Sequence, residues 1–332
     1  MSIKYVNQGS QMRHSVITFA HNQAHQILEW VSHYKTLGIS DLAVISYPSD
    51  DDTRTMLSIL HDHGHITHIL QDAYSDASAT PQQAIATASK TLGLTETDWV
   101  LCVDMDDFLA IDLDGGTLPD LTSQIPDGTG LCLSRRYFGN NGLVDPSPKL
   151  VFQTHLRGAP TILNQPIPNR QPAHLHRLSD PTPAEWLDGS GRALNFPKRA
   201  RVLNADRFVW AQLNSYPLRS VCDFLIDLAA NAPKSQHILD PLAFWIDHNF
   251  NFETIEQNTD KTKQIQYHLD HLRSLPMMQD CEISSRQWRQ NILPEIMQDE
   301  HITNLAQRLM MLLPSQPLTG FHVQLIKRLK TL

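Results

Sequence analysis

Asp104, Asp106 and Asp107 close the segment Trp99-Val-Leu-Cys-Val-Asp-Met-Asp-Asp-Phe-Leu109, in which a continuous apolar run breaks abruptly into carboxylates. If the strand persists, side-chain alternation places Asp104 and Asp106 on the same side. Two carboxylates held together repel, and at neutral pH they require a proton or a cation between them. A hard divalent ion such as Mn2+ or Mg2+ suits that donor set and keeps open positions for phosphate oxygens. The plain alternative is a solvated acidic turn after a strand.

A second acidic segment is Tyr47-Pro-Ser-Asp50-Asp51-Asp52-Thr53. It follows an apolar run and precedes a helical pattern. Its carboxylates would favour a helix N-terminus whether or not a ligand binds. The same position also suits a carboxylate accepting hydrogen bonds from a base or ribose.

Other groupings carry weaker signals. His61, His63, His65 and His68 straddle Gly64, so they point in different directions and read as a polar helix end. His174 and His176 have no spaced third ligand. Ile111-Asp112-Leu-Asp114-Gly-Gly-Thr117 is similar to the Asp-x-Asp-Gly-Thr loop of aspartate-nucleophile phosphatases. It carries an extra glycine and lacks an apolar strand of its own, which favours a turn. No Gly-x-Gly-x-x-Gly, Walker-type Gly-Lys-Ser/Thr or Gly-x-Ser-x-Gly motif occurs, which argues against dinucleotide oxidoreductases, P-loop phosphotransferases and serine hydrolases.

The elements that must position these residues alternate. Ser15–Ala20, Leu42–Tyr47, Ile66–Leu70, Trp99–Met105 and Leu131–Tyr137 read as strands. Ala24–Leu37, ended by Gly38, together with Thr53–His63 and Pro81–Leu92, reads as helix. Alternation of this kind predicts an α/β fold with a mostly parallel, Rossmann-like sheet flanked by helices. Ligands then bind beyond the carboxyl ends of the strands, which selects the loops Ala20–Gln23, Tyr47–Asp52 and Asp104–Asp107. Residues 144–200 are rich in proline and predict an irregular region folded over the sheet edge. Helical patterning returns at Val221–Ala229, Pro241–His248 and Ile302–Leu313. The expected organisation is a nucleotide-binding domain over residues 1–220, with 144–200 on its acceptor side. A helical region over 221–332 packs on it.

Composition sets bounds. The chain has 332 residues, 41% hydrophobic and 19% charged, which suits a globular protein with a substantial core. A net charge of −8 and no Lys/Arg run argue against unaided nucleic-acid or anionic-membrane binding. Cys102, Cys132, Cys222 and Cys281 are widely spaced and are expected as buried thiols in a reducing compartment. The N-terminus lacks a signal-peptide core and no apolar run is long enough for a spanning helix. A cytoplasmic protein is expected.

Four segments together resemble bacterial family-2-like glycosyltransferases, the group related to family 92. They are His21-Asn22…Leu28-Glu29-Trp30-Val31-Ser-His33…Leu37-Gly38, Asp104–Phe108, Arg136-Tyr-Phe138-Gly139…Gly142, and Leu213-Asn214-Ser215-Tyr216…Leu218-Arg219-Ser220…Phe224-Leu225. The resemblance implies a GT-A fold and transfer of a sugar from a UDP- or GDP-linked donor to a hydroxyl, such as one on a surface glycan. It places Mn2+ or Mg2+ on Asp104 and Asp106. It implies nucleotide contacts from Asn22 and Asp51, and a diphosphate or acceptor contact from Arg136. Gln23 stands where the family has glutamate, and Ser215 where it has a histidine suited to the metal. Asp227-Leu-Ala-Ala replaces a basic stretch. These departures motivate a second reading, a relative that binds a nucleotide sugar or glycan without transferring it. A phosphatase built on Asp112 is a third. The catalytic base is unassigned; Asp145 and Asp206 lie in plausible regions.

Overall fold

A computed structural model describes residues 12–72, 80–160, 172–194, 209–230, 238–255 and 259–315, with isolated helical positions 321, 324 and 328. The first half alternates β1 (His14–Ala20), α1 (Ala24–Lys35), β2 (Asp41–Ser46), α2 (Thr53–Asp62), β3 (Thr67–Leu70), α3 (Pro81–Leu92) and β4 (Trp99–Cys102). Then follow β5 (Asp107–Ile111), α4 (Leu118–Ser123), β6 (Thr129–Leu133), β7 (Arg135–Tyr137), α5 (Val151–Thr154) and β8 (Arg157–Gly158). β9 (Ala173–Arg177), β10 (Glu185–Asp188), β11 (Ala211–Ser215), α6 (Val221–Ala229), α7 (Pro241–His248) and β12 (Glu253–Thr254) lead to the last helices. These are α8 (Thr259–Arg273), α9 (Met278–Ile296) and α10 (Glu300–Met311).

The main sheet has the order β10-β6-β9-β4-β1-β2-β3. β1, β2, β3 and β4 are parallel, as the alternating pattern requires, and only β9 runs against its neighbours. The apolar runs of β1, β2 and β4 are buried on both faces. Registers of Ala20 with Ser46 and Ile17 with Cys102 bring the carboxyl ends of these strands to one edge. A smaller sheet, β5-β11-β7, stands beside that edge.

Three expectations are corrected. Trp99–Met105 is not one strand: β4 ends at Cys102, and residues 104–107 form a turn closed by Asp107 N–H on the Asp104 carbonyl at 3.0 Å. Leu131–Tyr137 divides at Ser134, because β6 pairs in the main sheet and β7 in the small one. Part of the proline-rich stretch does not lie over an edge. β9 inserts between β4 and β6, deep in the main sheet. Its two histidines disguise it as a polar segment, yet His176 is buried and His174 packs on Trp186.

The C-terminal helices pack on the first ones. Ile265, Leu269 and Leu272 of α8 and Met278 and Cys281 of α9 share one core with Ile27, Trp30 and Val31 of α1 and Met56 and Leu60 of α2. All four cysteines are free and buried. No helix among the described residues is long and apolar enough to cross a membrane.

Candidate active site

The turn after β4 gathers the acidic residues more tightly than a strand would. Asp104, Asp106 and Asp107 each bring one carboxylate oxygen within 4.8 Å of the others. Asp106 and Asp107 are buried, whereas the Asp104 side chain is 49% exposed. This is the only such group of three potential ligands among the described residues. An all-oxygen, multiply negative donor set with one open corner fits a hard divalent cation.

α1 fixes this turn from behind. The Tyr34 hydroxyl donates to the Asp107 carbonyl at 3.1 Å, and the His33 Nε2–H donates to the Leu109 carbonyl at 3.0 Å. Burial holds His33 down to about pKa 4, so its ring stays neutral and a single ring nitrogen donates. From the front, β11 pairs Ser215 with Asp107, and Tyr216 N–H donates to the Asp106 carbonyl at 2.9 Å. Ser215 is therefore buried directly opposite the cluster.

The arginine at the cluster is Arg135. Its Nη2 lies 2.8 Å from Asp107 and 3.4 Å from Asp104. Burial works against its charge, but Asp107 and Asp104 outweigh burial and hold the guanidinium protonated. Arg136 points to the other side of β7, as alternation demands, and reaches Glu253 at 2.6 Å and the Ala159 carbonyl at 2.9 Å. The structure does not bring Arg136 into the cluster.

The β1 and β2 loops are tied together beside it. Asn22 has a left-handed backbone (φ 53°), and its Oδ1 accepts from Asp50 N–H at 2.7 Å. Asp51 bridges two helix starts: Oδ2 accepts from Ala24 N–H at 3.0 Å and Oδ1 from Thr53 N–H at 2.9 Å. Both side chains are thus engaged in shaping the loops.

A cleft opens in front of the turn, lined by His21, Gln23, Asp106, Tyr216, Arg219 and Asp227 among others. Arg219 is anchored to Glu29 at 3.1 Å, and Glu29 also accepts from Val151 N–H at 2.5 Å. Two segments quoted above for the resemblance, around Glu29 and around Arg219, therefore meet in an ion pair. Asp227 was not marked as a site residue by spacing; it lies one helical turn beyond Asp223 on α6.

The remaining candidates lie elsewhere. Asp112 is exposed at the end of β5, and the loop after it turns into α4 through Gly115 and Gly116, both with positive φ. Thr117 and Asp120 close that helix with a capping box. His61 is bonded to the Ile66 carbonyl and His68 to Ser46, and no group of three potential metal ligands among the described residues includes them. Asp145 is exposed and accepts from the Cys222 thiol at 3.6 Å. Asp206 lies outside the described residues.

A β3-β2-β1-β4 parallel core, an antiparallel strand beyond it and an acidic turn at the end of β4 make up a Rossmann-like α/β architecture. Residues 14–141, which contain every strand of that core and the turn, match the model of glycosyltransferase family 92. Among solved structures, the chain is similar to S. aureus TarS (14% identity, TM-score 0.33, covering 82% of this chain and 54% of that one). It is also similar to glucosyl-3-phosphoglycerate synthase from Mycobacterium tuberculosis in complex with Mg2+ and uridine diphosphate (16% identity, TM-score 0.26, 37% of this chain and 44% of that one). The chain spans about half the length of TarS. Among curated proteins no sequence matches.

Proposed function

We propose that the protein is a metal-dependent glycosyltransferase that moves a sugar from a nucleotide-sugar donor to a hydroxyl, with a surface glycan as the acceptor class. The observation that carries this reading is the convergence of Asp104, Asp106 and Asp107 at the carboxyl end of β4, inside the family-matched segment. Asp104 and Asp106 would hold Mn2+ or Mg2+. Such an ion supplies stabilisation of the negative charge that builds on a leaving diphosphate.

The chain's own residues do the rest. Arg135 neutralises Asp107 and keeps a fixed positive fork beside the cluster. Asn22 and Asp51 hold the two loops in the shape a UDP or GDP moiety would meet. Arg136, salt-bridged to Glu253, steadies the floor of β7 in this reading rather than the diphosphate. On the acceptor side we assign Asp227, which shares the cleft with Asp106 and is ion-paired to Arg289 at 3.3 Å, as the carboxylate that takes the proton of an incoming hydroxyl.

The test is incubation with UDP- and GDP-sugars and Mn2+, following release of nucleoside diphosphate. Release that disappears in Asp104→Asn supports transfer. A specific observation favours the second reading, a nucleotide-sugar binder with weak or no turnover. Ser215 stands opposite Asp107, and Arg135 already compensates two of the three carboxylates. Saturable nucleotide-sugar binding without release, with or without acceptor, identifies that case.

A further inference from the structure

A second cavity, of about 500 Å3, lies behind the cleft, between α1, the 145–155 segment, α6, α8 and α9. Arg219 and Asp223 line both spaces and form the partition between them. Its volume suits a small molecule rather than a few waters.

The cavity is lined by Lys149 and four arginines against four carboxylates. Three of its carboxylates are already committed: Glu29 to Arg219, Asp223 to Arg289 at 2.8 Å, and Glu282 to Arg273 at 2.9 Å. The guanidinium groups are not equally spent. Arg219 leaves Nε and Nη2 without a hydrogen-bond partner, and Arg289 leaves Nε. Ser285, only 1% exposed, has no partner for its hydroxyl. At the rim, Arg286 is exposed and forms no ion pair with a described residue. Asp145 is the rim's one open carboxylate, and the Cys222 thiol donates to it.

Leaving buried guanidinium N–H groups unsatisfied is costly, and a ligand that brings lone pairs and negative charge relieves it. A cationic ligand would be repelled by Lys149 and the four arginines of the lining, and a neutral one would bring fewer lone pairs to the open N–H groups. The neighbouring histidine registers the same field: His25 is held neutral by burial, and then by Arg289 and Arg219.

We propose that this cavity is a binding site for a small oxyanion-bearing ligand, one carrying a phosphate or carboxylate group, recognised by Arg219, Ser285, Arg286 and Arg289. The site is separate from the acidic cluster and does not depend on the transferase reading. Isothermal titration of the full chain with inorganic phosphate, and separately with citrate, tests it at matched ionic strength. The protein is first stripped of metal over a chelating resin, so that no anion binds through a metal. Heat of binding is read rather than melting temperature, because both anions stabilise folded proteins non-specifically.

Saturable binding of phosphate identifies a phosphoryl ligand, and of citrate a carboxylate ligand; either supports the site. The Ser285→Ala/Arg286→Gln variant removes an unpartnered hydroxyl and a rim side chain, so the fold is spared. It should weaken binding about tenfold or more, the value of one charge-assisted hydrogen bond. No saturable heat with either anion overturns the proposal, as does equal affinity in the double variant.

Discussion

Arg135 Nη2 lies 2.8 Å from Asp107 and 3.4 Å from Asp104, so one guanidinium spans two of the three carboxylates that close β4. Asp107 is fully buried and the arginine side chain is 11% exposed. Removing one partner of a buried pair leaves the other charge uncompensated. Arg135→Gln should therefore lower the unfolding free energy by about 3–5 kcal/mol in urea titrations. Adding Asp107→Asn should restore a substantial part of that loss. Loss in the double variant equal to the sum of the two singles would mean the residues do not act as a pair.

Asp104 behaves oppositely because half of its side chain faces solvent. Asp104→Asn should leave the unfolding free energy from urea titration within about 0.5 kcal/mol of wild type. In contrast, it should abolish Mn2+ uptake measured by calorimetry and reduce diphosphate release by about a hundredfold or more, the scale of losing a charge-stabilising group. Retained metal uptake in this variant would remove Asp104 from the ligand set.

The two arginines also show what a sequence can and cannot reveal. The strand order around β1, β2 and β4 is legible because uninterrupted apolar runs bounded by helix signals admit few topologies. The acidic turn is legible for the same reason, since carboxylates at the end of a buried strand stand out. Choosing Arg135 over Arg136 requires the register of β7 on β11, and a shift of one residue exchanges their faces. β9 was hidden because its pairing with β4 and β6 joins residues far apart in the chain, and its burial depends on partners rather than on its own alternation. The second cavity draws Arg219 from before α6 and Arg286 and Arg289 from α9, a meeting that no local pattern encodes.

Asp51 joins two helices through one carboxylate, and this gives a stability test of a residue the resemblance links to nucleotide. Asp51→Ala leaves Ala24 N–H and Thr53 N–H without their acceptor and should cost about 1–2 kcal/mol, the scale of a lost cap. Both loops that it ties flank the cleft side of the sheet, so UDP affinity should fall together with stability. A normal urea midpoint with weakened UDP binding would show a contact to the nucleotide alone. A shifted midpoint with unchanged UDP affinity would show a purely structural clamp.

His155 predicts how stability responds to acid. It is 2% exposed; its Nε2–H donates to the Arg219 carbonyl at 2.7 Å, and Nδ1 lies 2.8 Å from Thr154 Oγ1. Burial pushes its pKa down to about 4 from the ordinary 6.5. The unfolded chain therefore takes up a proton at a pH where the folded chain does not. The stability that neutral His155 contributes is complete above pH about 6.5, and it is lost progressively as pH falls towards 4, where the folded state also protonates. One proton corresponds to a slope of about 1.4 kcal/mol per pH unit, so this residue accounts for a loss of the order of 3 kcal/mol across the window. His33, also pushed to about 4 by burial, adds in the same direction. Glutamine at position 155 retains a donor for the Arg219 carbonyl but cannot titrate. His155→Gln should thus flatten the stability profile between pH 6.5 and 4 in urea titrations taken at each pH. A profile parallel to wild type throughout that window would mean that His155 is protonated equally in both states.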